Sequence, residues 1–224
     1  MNLLALDTST EFCTVALECS GRMLFKEEHA GQRHSERVLP MIDALLDDAG
    51  IKPVDLQAIA FASGPGSFTG LRIACGVAQG LAFALDIPVV AVGTLEALAE
   101  RAEGQRVAAC LDARMGEVYF AAFERRADDW QALIEPCLCD PAVAPPLSGS
   151  GWIGCGSGFE RYPDALRTRF ADALAGIKPG LFPHAREIAR IGVRRFAAGH
   201  HMPAEQAMPL YVRDKVALKM NERR

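Results

Sequence analysis

Long apolar runs, surplus basic charge and framework-spaced cysteines are all missing from this 224-residue chain. Each absence removes a class of function. No apolar run reaches the ~18 residues of a membrane helix, because Arg72, Gln79 and Gly80 interrupt the longest one, so no membrane contact is expected. Lysine and arginine number 24 against 28 acidic residues, a formal charge of −4, so there is no overall cationic field to hold nucleic acid. Met1 to Asp7 lack a basic flank and meet a charge early, which reads as a first strand and not as a signal peptide. Seven cysteines are an odd number without framework spacing. Cys13, Cys19, Cys75 and Cys110 sit in apolar stretches as small hydrophobes. Cys137-Leu138-Cys139 has no second pair, so a zinc site is not expected. A reducing, cytoplasmic setting is the expectation.

What is present is ordinary for a folded protein. Half the residues are hydrophobic and 23% charged, which excludes a disordered chain, and the length suits one large or two small domains. Leu3 to Asp7, Phe12 to Glu18 and Arg22 to Glu28 read as three strands, the last two joined by a Ser20-Gly21 turn. The spacing of Val38, Ile42, Leu45 and Ala49 predicts a helix over Ser35 to Ala49, stopped by Gly50, with Pro40 forcing a kink or a later start. Leu56 to Ala62 is a strand covered on both faces. A glycine-rich loop leads from it into a helix over Thr69 to Leu85. Pro88 to Val92 is another strand, and Thr94 is expected to cap a helix reaching Arg101. This order is that of the ribonuclease-H-like unit.

An internal repeat follows. Leu3 to Asp7 with Cys13 to Leu17 matches Val107 to Asp112 with Glu117 to Phe123: an apolar strand ending in Asp, a polar turn and a β-rich return. Gln131 to Cys139 fits a third strand, Trp152 to Gly156 a further one, and Pro183 opens a helix to Ala198. The expected fold is α/β, with two ribonuclease-H-like domains and the second abridged. The expected division is 1–102, binding a partner, and 103–224, with a C-terminal tail.

Four strings occur in a telling order: Asp7-Thr8-Ser9-Thr10, His34-Ser35-Glu36-Arg37-Val38-Leu39-Pro40, Gly64-Pro65-Gly66-Ser67-Phe68-Thr69-Gly70-Leu71-Arg72, and Pro209-Leu210-Tyr211-Val212-Arg213. In these the chain resembles the TsaB (YeaZ) family, within the actin/hexokinase/Hsp70 superfamily. The resemblance is strong over residues 1 to about 100, looser in the middle, and returns at the tail. It implies a non-catalytic subunit of the bacterial complex that makes threonylcarbamoyladenosine at adenosine 37 of tRNA. The implied partners are a TsaD-type catalytic subunit and a TsaE-type P-loop ATPase, with tRNA reached through the complex and a homodimer formed by the isolated chain. ATP or ADP and metal are expected on those partners, with no cofactor on this chain.

The residues test those implications. Asp7, Thr8, Ser9, Gly64, Gly66 and Ser67 form a candidate vestigial phosphate loop, since bare N–H groups beside a helix start attract anions. The G-x-x-x-x-G-K-[ST] pattern is absent, and the matching second stretch, Asp112-Ala113-Arg114-Met115-Gly116, carries bulky side chains. The favoured reading is therefore a strand-to-helix turn packed with small residues. The resemblance implies two histidines four apart on a helix in TsaD-type subunits, whereas His29 and His34 are five apart and diverge on a helix. No metal site and no catalytic residue are expected. No G-x-S-x-G elbow supports a peptidase.

The helix over Leu71 to Leu85 is apolar nearly all round, with Gly76, Gly80 and Ala84 in one line. A lone two-layer domain does not need that on its outer side, so an interface with another subunit is expected. Val38, Leu39, Ile42, Ile73, Val77 and Gly80 are its candidate core, and Arg33, Glu36, Arg72 and Gln79 its polar rim. Arg186, Arg190 and Arg194 make a stripe that reads as a face paired with acidic groups of the same chain, since no aromatics interleave to stack bases. The tail is expected to fold back as an edge strand through Met208, Leu210 and Val212, with Arg213 anchoring a carboxylate. The competing class is an ATP-dependent small-molecule kinase of the same superfamily.

Overall fold

A computed structural model describes residues 1–212; Arg213 and its expected anchoring role lie outside the described residues. The first unit comprises β1 (Asn2–Asp7), β2 (Phe12–Cys19), β3 (Arg22–His29), α1 (His34–Ala49), β4 (Ala58–Gly64), α2 (Phe68–Leu85), β5 (Val89–Gly93) and α3 (Thr94–Ala102). Ser20 and Gly21 both take left-handed φ, which lets a two-residue turn follow the twist of β2 and β3. The sheet runs β3-β2-β1-β4-β5, antiparallel across the opening meander and parallel from β1 through β4 to β5. The second unit comprises β6 (Arg106–Arg114), β7 (Glu117–Arg126), β8 (Asp129–Cys139), β9 (Trp152–Cys155), α4 (Ser157–Arg161), α5 (Pro163–Arg169), β10 (Leu174–Lys178) and α6 (Ala185–Ala197). Its sheet, β10-β9-β6-β7-β8, repeats the first order. The architecture is two ribonuclease-H-like units, and the abridgement falls in the helices. A three-residue turn, Pro141–Val143, stands where the first unit has α1, and α4 with α5 stand where it has α2.

The layers interleave across the two units. One face of the first sheet, through Leu4, Leu6, Val15, Leu17, Ile59 and Phe61, packs under α1 and α2. Its other face is alanine-rich, with Ala5, Ala16, Ala58, Ala60 and Ala62, and is covered by Ile188, Ala189 and Ile191 of α6. A Cβ on Gly192 would lie 2.8 Å from that of Ala60, so small residues on both sides set this close approach. In exchange, Leu95, Leu98, Ala99 and Ala102 of α3 pack on Val107, Ala109 and Leu111 of the second sheet. A cut after Ala102 therefore leaves α3 and α6 each on the sheet of the opposite unit.

Buried ion pairs fasten the crossing. The Glu100 carboxylate accepts from Arg194 at 3.1 Å, Arg125 at 3.1 Å and Trp130 Nε1 at 2.7 Å, joining α3 to α6, β7 and β8. Burial pushes the Glu100 carboxyl up, but the Arg194 and Trp130 hydrogen bonds win and hold it below the usual range. Arg195 holds both Glu96 oxygens, at 2.8 and 2.7 Å.

Four local expectations are corrected. α1 starts at His34 and runs through Pro40. Pro40 and Glu36, whose carbonyl loses its intrahelical donor, both lie on the exposed side, where that oxygen is open to solvent. Thr94 is the first helical residue and makes no cap bond; its Oγ1 is buried without a partner among the described residues. Pro136, read from the sequence as a breaker following the third strand, lies inside β8, an edge strand that tolerates a missing donor. Finally, α2 has 18 residues and a mean hydropathy of 1.4, so by length and composition it matches a membrane-crossing helix. Arg72, Gln79 and Gly80 are too few to offset its alanine and branched residues.

Candidate functional site

The two units face each other across a cleft of about 760 Å³. The first unit lines it with Ser9, Gly66 and Ser67, the second with Asp112, Arg114 and Arg161, and the tail with Leu210 to Val212. Of the six candidate phosphate-loop residues, Ser9, Gly66 and Ser67 line this cleft, whereas Asp7, Thr8 and Gly64 are buried and do not line it. Asp7 closes a turn by accepting from the Ser9 N–H at 2.7 Å, and Asp112 repeats this with the Arg114 N–H at 2.9 Å. Burial raises the Asp7 carboxyl above its usual range.

The loop's polar groups are turned on the chain itself. Thr8 Oγ1 donates to the Gly70 carbonyl at 2.7 Å, and the Ser67 N–H donates to the Ser9 carbonyl at 2.8 Å. Ser67 caps α2, its Oγ accepting from the Gly70 N–H at 3.3 Å. A side chain on Gly70 would overlap the Thr8 carbonyl, and one on Gly66 would lie 2.7 Å from the Ser9 carbonyl. These glycines admit the β1–β2 turn. The packed-turn reading of the loop is what the geometry supports, while Ser9 Oγ stays buried without a partner among the described residues.

The candidate interface residues divide by helix face. Val38 and Ile42 are buried in the core under the first sheet and are withdrawn from the interface. They point at the sheet, while their neighbour Leu39 is 46% exposed. Arg33, Glu36, Arg72 and Gly80 are exposed, and Ile73, Val77 and Gln79 are half-buried. Among the described residues nothing lies within 4 Å of a Cβ placed on Gly76 or Gly80, so their packing does not demand glycine there. Phe83, 76% exposed, was absent from the candidates; it extends the same outward face one turn beyond Gly80. The exposed apolar surface is thus narrower than the sequence pattern and centred on α2.

The remaining candidates are absorbed by the fold. The arginine stripe on α6 pairs inward, Arg190 with Glu187 at 3.3 Å and Arg194 with Glu100. Arg186 lies over Phe25, 4.5 Å from the ring centroid. His34 Nε2 meets the Phe12 carbonyl at 3.3 Å, and His29 sits edge-on to the Phe12 ring. His184 caps α6, its Nδ1 accepting from the Arg186 N–H, and burial pushes its pKa down to about 3. Burial pushes the Cys13 and Cys139 thiols up to about 12, which keeps them protonated and unreactive. Among the described residues, no three His, Cys, Asp or Glu side chains group to hold a metal. The tail folds back as expected but forms no strand: the Leu210 N–H donates to the Ser63 carbonyl at 2.7 Å, and Met208 is left exposed.

A family model described as TsaD, tRNA N6-adenosine threonylcarbamoyltransferase, matches residues 26–152. The tRNA threonylcarbamoyladenosine biosynthesis protein TsaB of Escherichia coli is 36% identical over 231 residues, covering 98% of this chain and 97% of that relative. The chain belongs to the TsaB family. YeaZ from Pseudomonas aeruginosa superposes with a TM-score of 0.84 at 41% identity, covering 94% of this chain and 99% of that one. A solved structure described as an uncharacterized protein with similarity to peptidase YeaZ, also from Pseudomonas aeruginosa, gives 0.87 at 42%, covering 95% and 99%. The Gly64-to-Arg72 string, the most specific of the TsaB resemblance, lies within the span matched by the TsaD model. None of the three serines near the cleft bonds a histidine among the described residues. Ser157 Oγ accepts from the Asp112 N–H, Ser67 Oγ accepts from the Gly70 N–H, and Ser9 Oγ is unpaired.

Proposed function

We propose that this chain is a non-catalytic subunit of a tRNA N6-adenosine threonylcarbamoyltransferase complex, docking on a TsaD-type catalytic subunit through the outer face of α2. The observation that carries this is the outward side of α2. Gly76 and Gly80 leave backbone bare, and Ile73, Val77 and Phe83 surround it with apolar surface. Such a face costs solubility unless another surface covers it, and bare backbone lets a second helix approach closely. Leu39 and the exposed arm of Arg33 extend it along α1. In this reading nucleotide and metal reside on the partners, a TsaE-type ATPase joins the pair, and tRNA is met through the assembly. The isolated chain self-associates by the same face, in the cytoplasm.

The test is reconstitution of the modification with TsaC-, TsaD- and TsaE-type proteins, tRNA, threonine, bicarbonate and ATP, with and without this chain. Threonylcarbamoyladenosine is read by mass spectrometry of digested tRNA. Product is expected only with the chain present, and Ile73→Asp or Gly80→Arg should abolish it while the unfolding midpoint stays unchanged. Product unaffected by omitting the chain overturns the proposal. Product lost on omission but unaffected by both substitutions leaves the subunit and removes its docking face. Binding of the chain to lipid vesicles through α2 would give the helix a different occupant and equally remove that face.

A further inference from the structure

The outward face of α2 carries one cation, Arg72, and the chain's own tail holds it in place. Arg72 Nε donates to the Tyr211 hydroxyl at 2.9 Å. Its guanidinium carbon lies 3.8 Å from the centroid of the Phe68 ring, and the Phe68 and Tyr211 rings are 5.4 Å apart. Residues 202–210 bring Tyr211 to that spot. Met202 bridges to Val89 at the edge of β5, Ala204 and Ala207 pack into the core under α1 and α2, and the Leu210 N–H bonds the Ser63 carbonyl. Gly64 is required at the crossing, since its φ is +125° and a Cβ there would lie 2.5 Å from the Leu210 carbonyl oxygen. The tail is thus a belt passing along β5, under α2, and round to its first turn.

Six described arginines, Arg22, Arg72, Arg101, Arg161, Arg167 and Arg169, pair with no carboxylate of the described residues. Arg101 and Arg169 bond backbone carbonyls, whereas Arg72 bonds a side-chain hydroxyl on the outer face of α2. Arg37, Arg106, Arg125, Arg190, Arg194 and Arg195 each hold a carboxylate of the chain. Arg72 has none among the described residues. Its one hydrogen bond uses Nε, and its neighbours are two aromatic rings that fix the plane of the guanidinium without neutralising it. A guanidinium held this way, with its terminal nitrogens uncommitted, matches a carboxylate presented by another molecule.

We infer that Tyr211 is a positioning residue, which holds Arg72 on the docking face to receive an acidic side chain of the partner subunit. The inference rests on the docking proposal above. It adds the partner's chemistry at one end of α2 and gives the belt a purpose. Without the Tyr211 hydroxyl, Arg72 samples several rotamers, and the freedom it then loses on docking is subtracted from affinity.

The experiment is a double-mutant cycle on affinity for the TsaD-type subunit, with the full-length chain, using Tyr211→Phe and Arg72→Ala. Tyr211→Phe keeps the ring and removes only the acceptor. It should weaken binding about tenfold, the lower end of what one hydrogen bond to a charged group contributes. Arg72→Ala should weaken it more and flatten its salt dependence. In the Arg72→Ala background, Tyr211→Phe should have no further effect. Unchanged unfolding midpoints separate this from a loss of structure. An equal loss from Tyr211→Phe in both backgrounds, or no loss from either single change, overturns the inference while docking stands. Failure of the unaltered chain to bind the partner overturns docking itself, and the inference with it.

Discussion

The two halves share a sheet and differ in how they close its outer face. Both end their first strand in an Asp whose carboxylate accepts from the N–H two residues on, Asp7 from Ser9 and Asp112 from Arg114. In the second half the outer face is filled by large rings, Trp152, Phe120, Phe159 and Phe170, some of them on short segments. Bulky side chains finish that core with little helix. In the first half it is filled by two long helices whose inner sides are partly alanine, Ala74, Ala78 and Ala82. Small inward residues bring α2 close to its sheet and leave the apolar side chains of the helix, Ile73, Val77 and Phe83, partly or largely outside. The half that spent more residues on its outer layer is also the half that leaves that layer unfinished. Duplicated units, once joined, are free to let one copy seal itself and the other present a surface.

The comparison breaks first if the halves are independent. Glu100→Ala strips three donors of a buried acceptor at the crossing, and should cost about 3–5 kcal/mol in one cooperative denaturant transition. A small cost with two separated transitions would mean that the halves are not fastened there. Next, α2 itself can be split into its two sides. Gly70→Ala should cost about 3 kcal/mol by urea unfolding, because the new methyl meets the Thr8 carbonyl. Gly76→Ala, on the same helix but in open space, should instead raise stability by about 0.5–1 kcal/mol through helix propensity. Smallest of all, Phe83→Ser should move stability by less than about 0.5 kcal/mol. It should nonetheless lower self-association in sedimentation, and a large stability loss would show that Phe83 is covered within the chain.

Much of this was legible in the amino-acid order. The short apolar strands bounded by turns, the repeat with its two aspartates, and the packed-turn role of the glycine loop all follow from local pattern. What escaped did so for physical reasons. β10 carries only Leu174 and Ile177 as large apolar residues, and α4 and α5 are too short to show a helical period. Val38 and Leu39 are equally apolar neighbours, so composition cannot say which faces the sheet; the fold buries Val38 and exposes Leu39. The exchange of α3 and α6 pairs residues nearly a hundred positions apart, such as Glu100 with Arg194. The clue was chemical: two glutamates, Glu96 and Glu100, spaced one helical turn apart in a helix rich in alanine and leucine, and two adjacent arginines in the last one. The tail's contact with Arg72 was hidden because Tyr211 looked like part of a strand and instead serves through its hydroxyl.

The exchange of helices also bears on how the chain comes to be folded. During synthesis the first sheet is complete once β5 has emerged, but its alanine-rich face has no cover until Ile188, Ala189 and Ile191 arrive. Those residues follow every strand of the second unit in the chain, so the first half waits for nearly the whole second half before its core can close. A ribosome stalled before α6 would hold a sheet with one wet apolar face, the kind of surface that chaperones bind and that aggregates when left alone. Truncations that spare every residue of the first half are therefore expected to disable it, and the unit of inheritance for this fold is the entire chain.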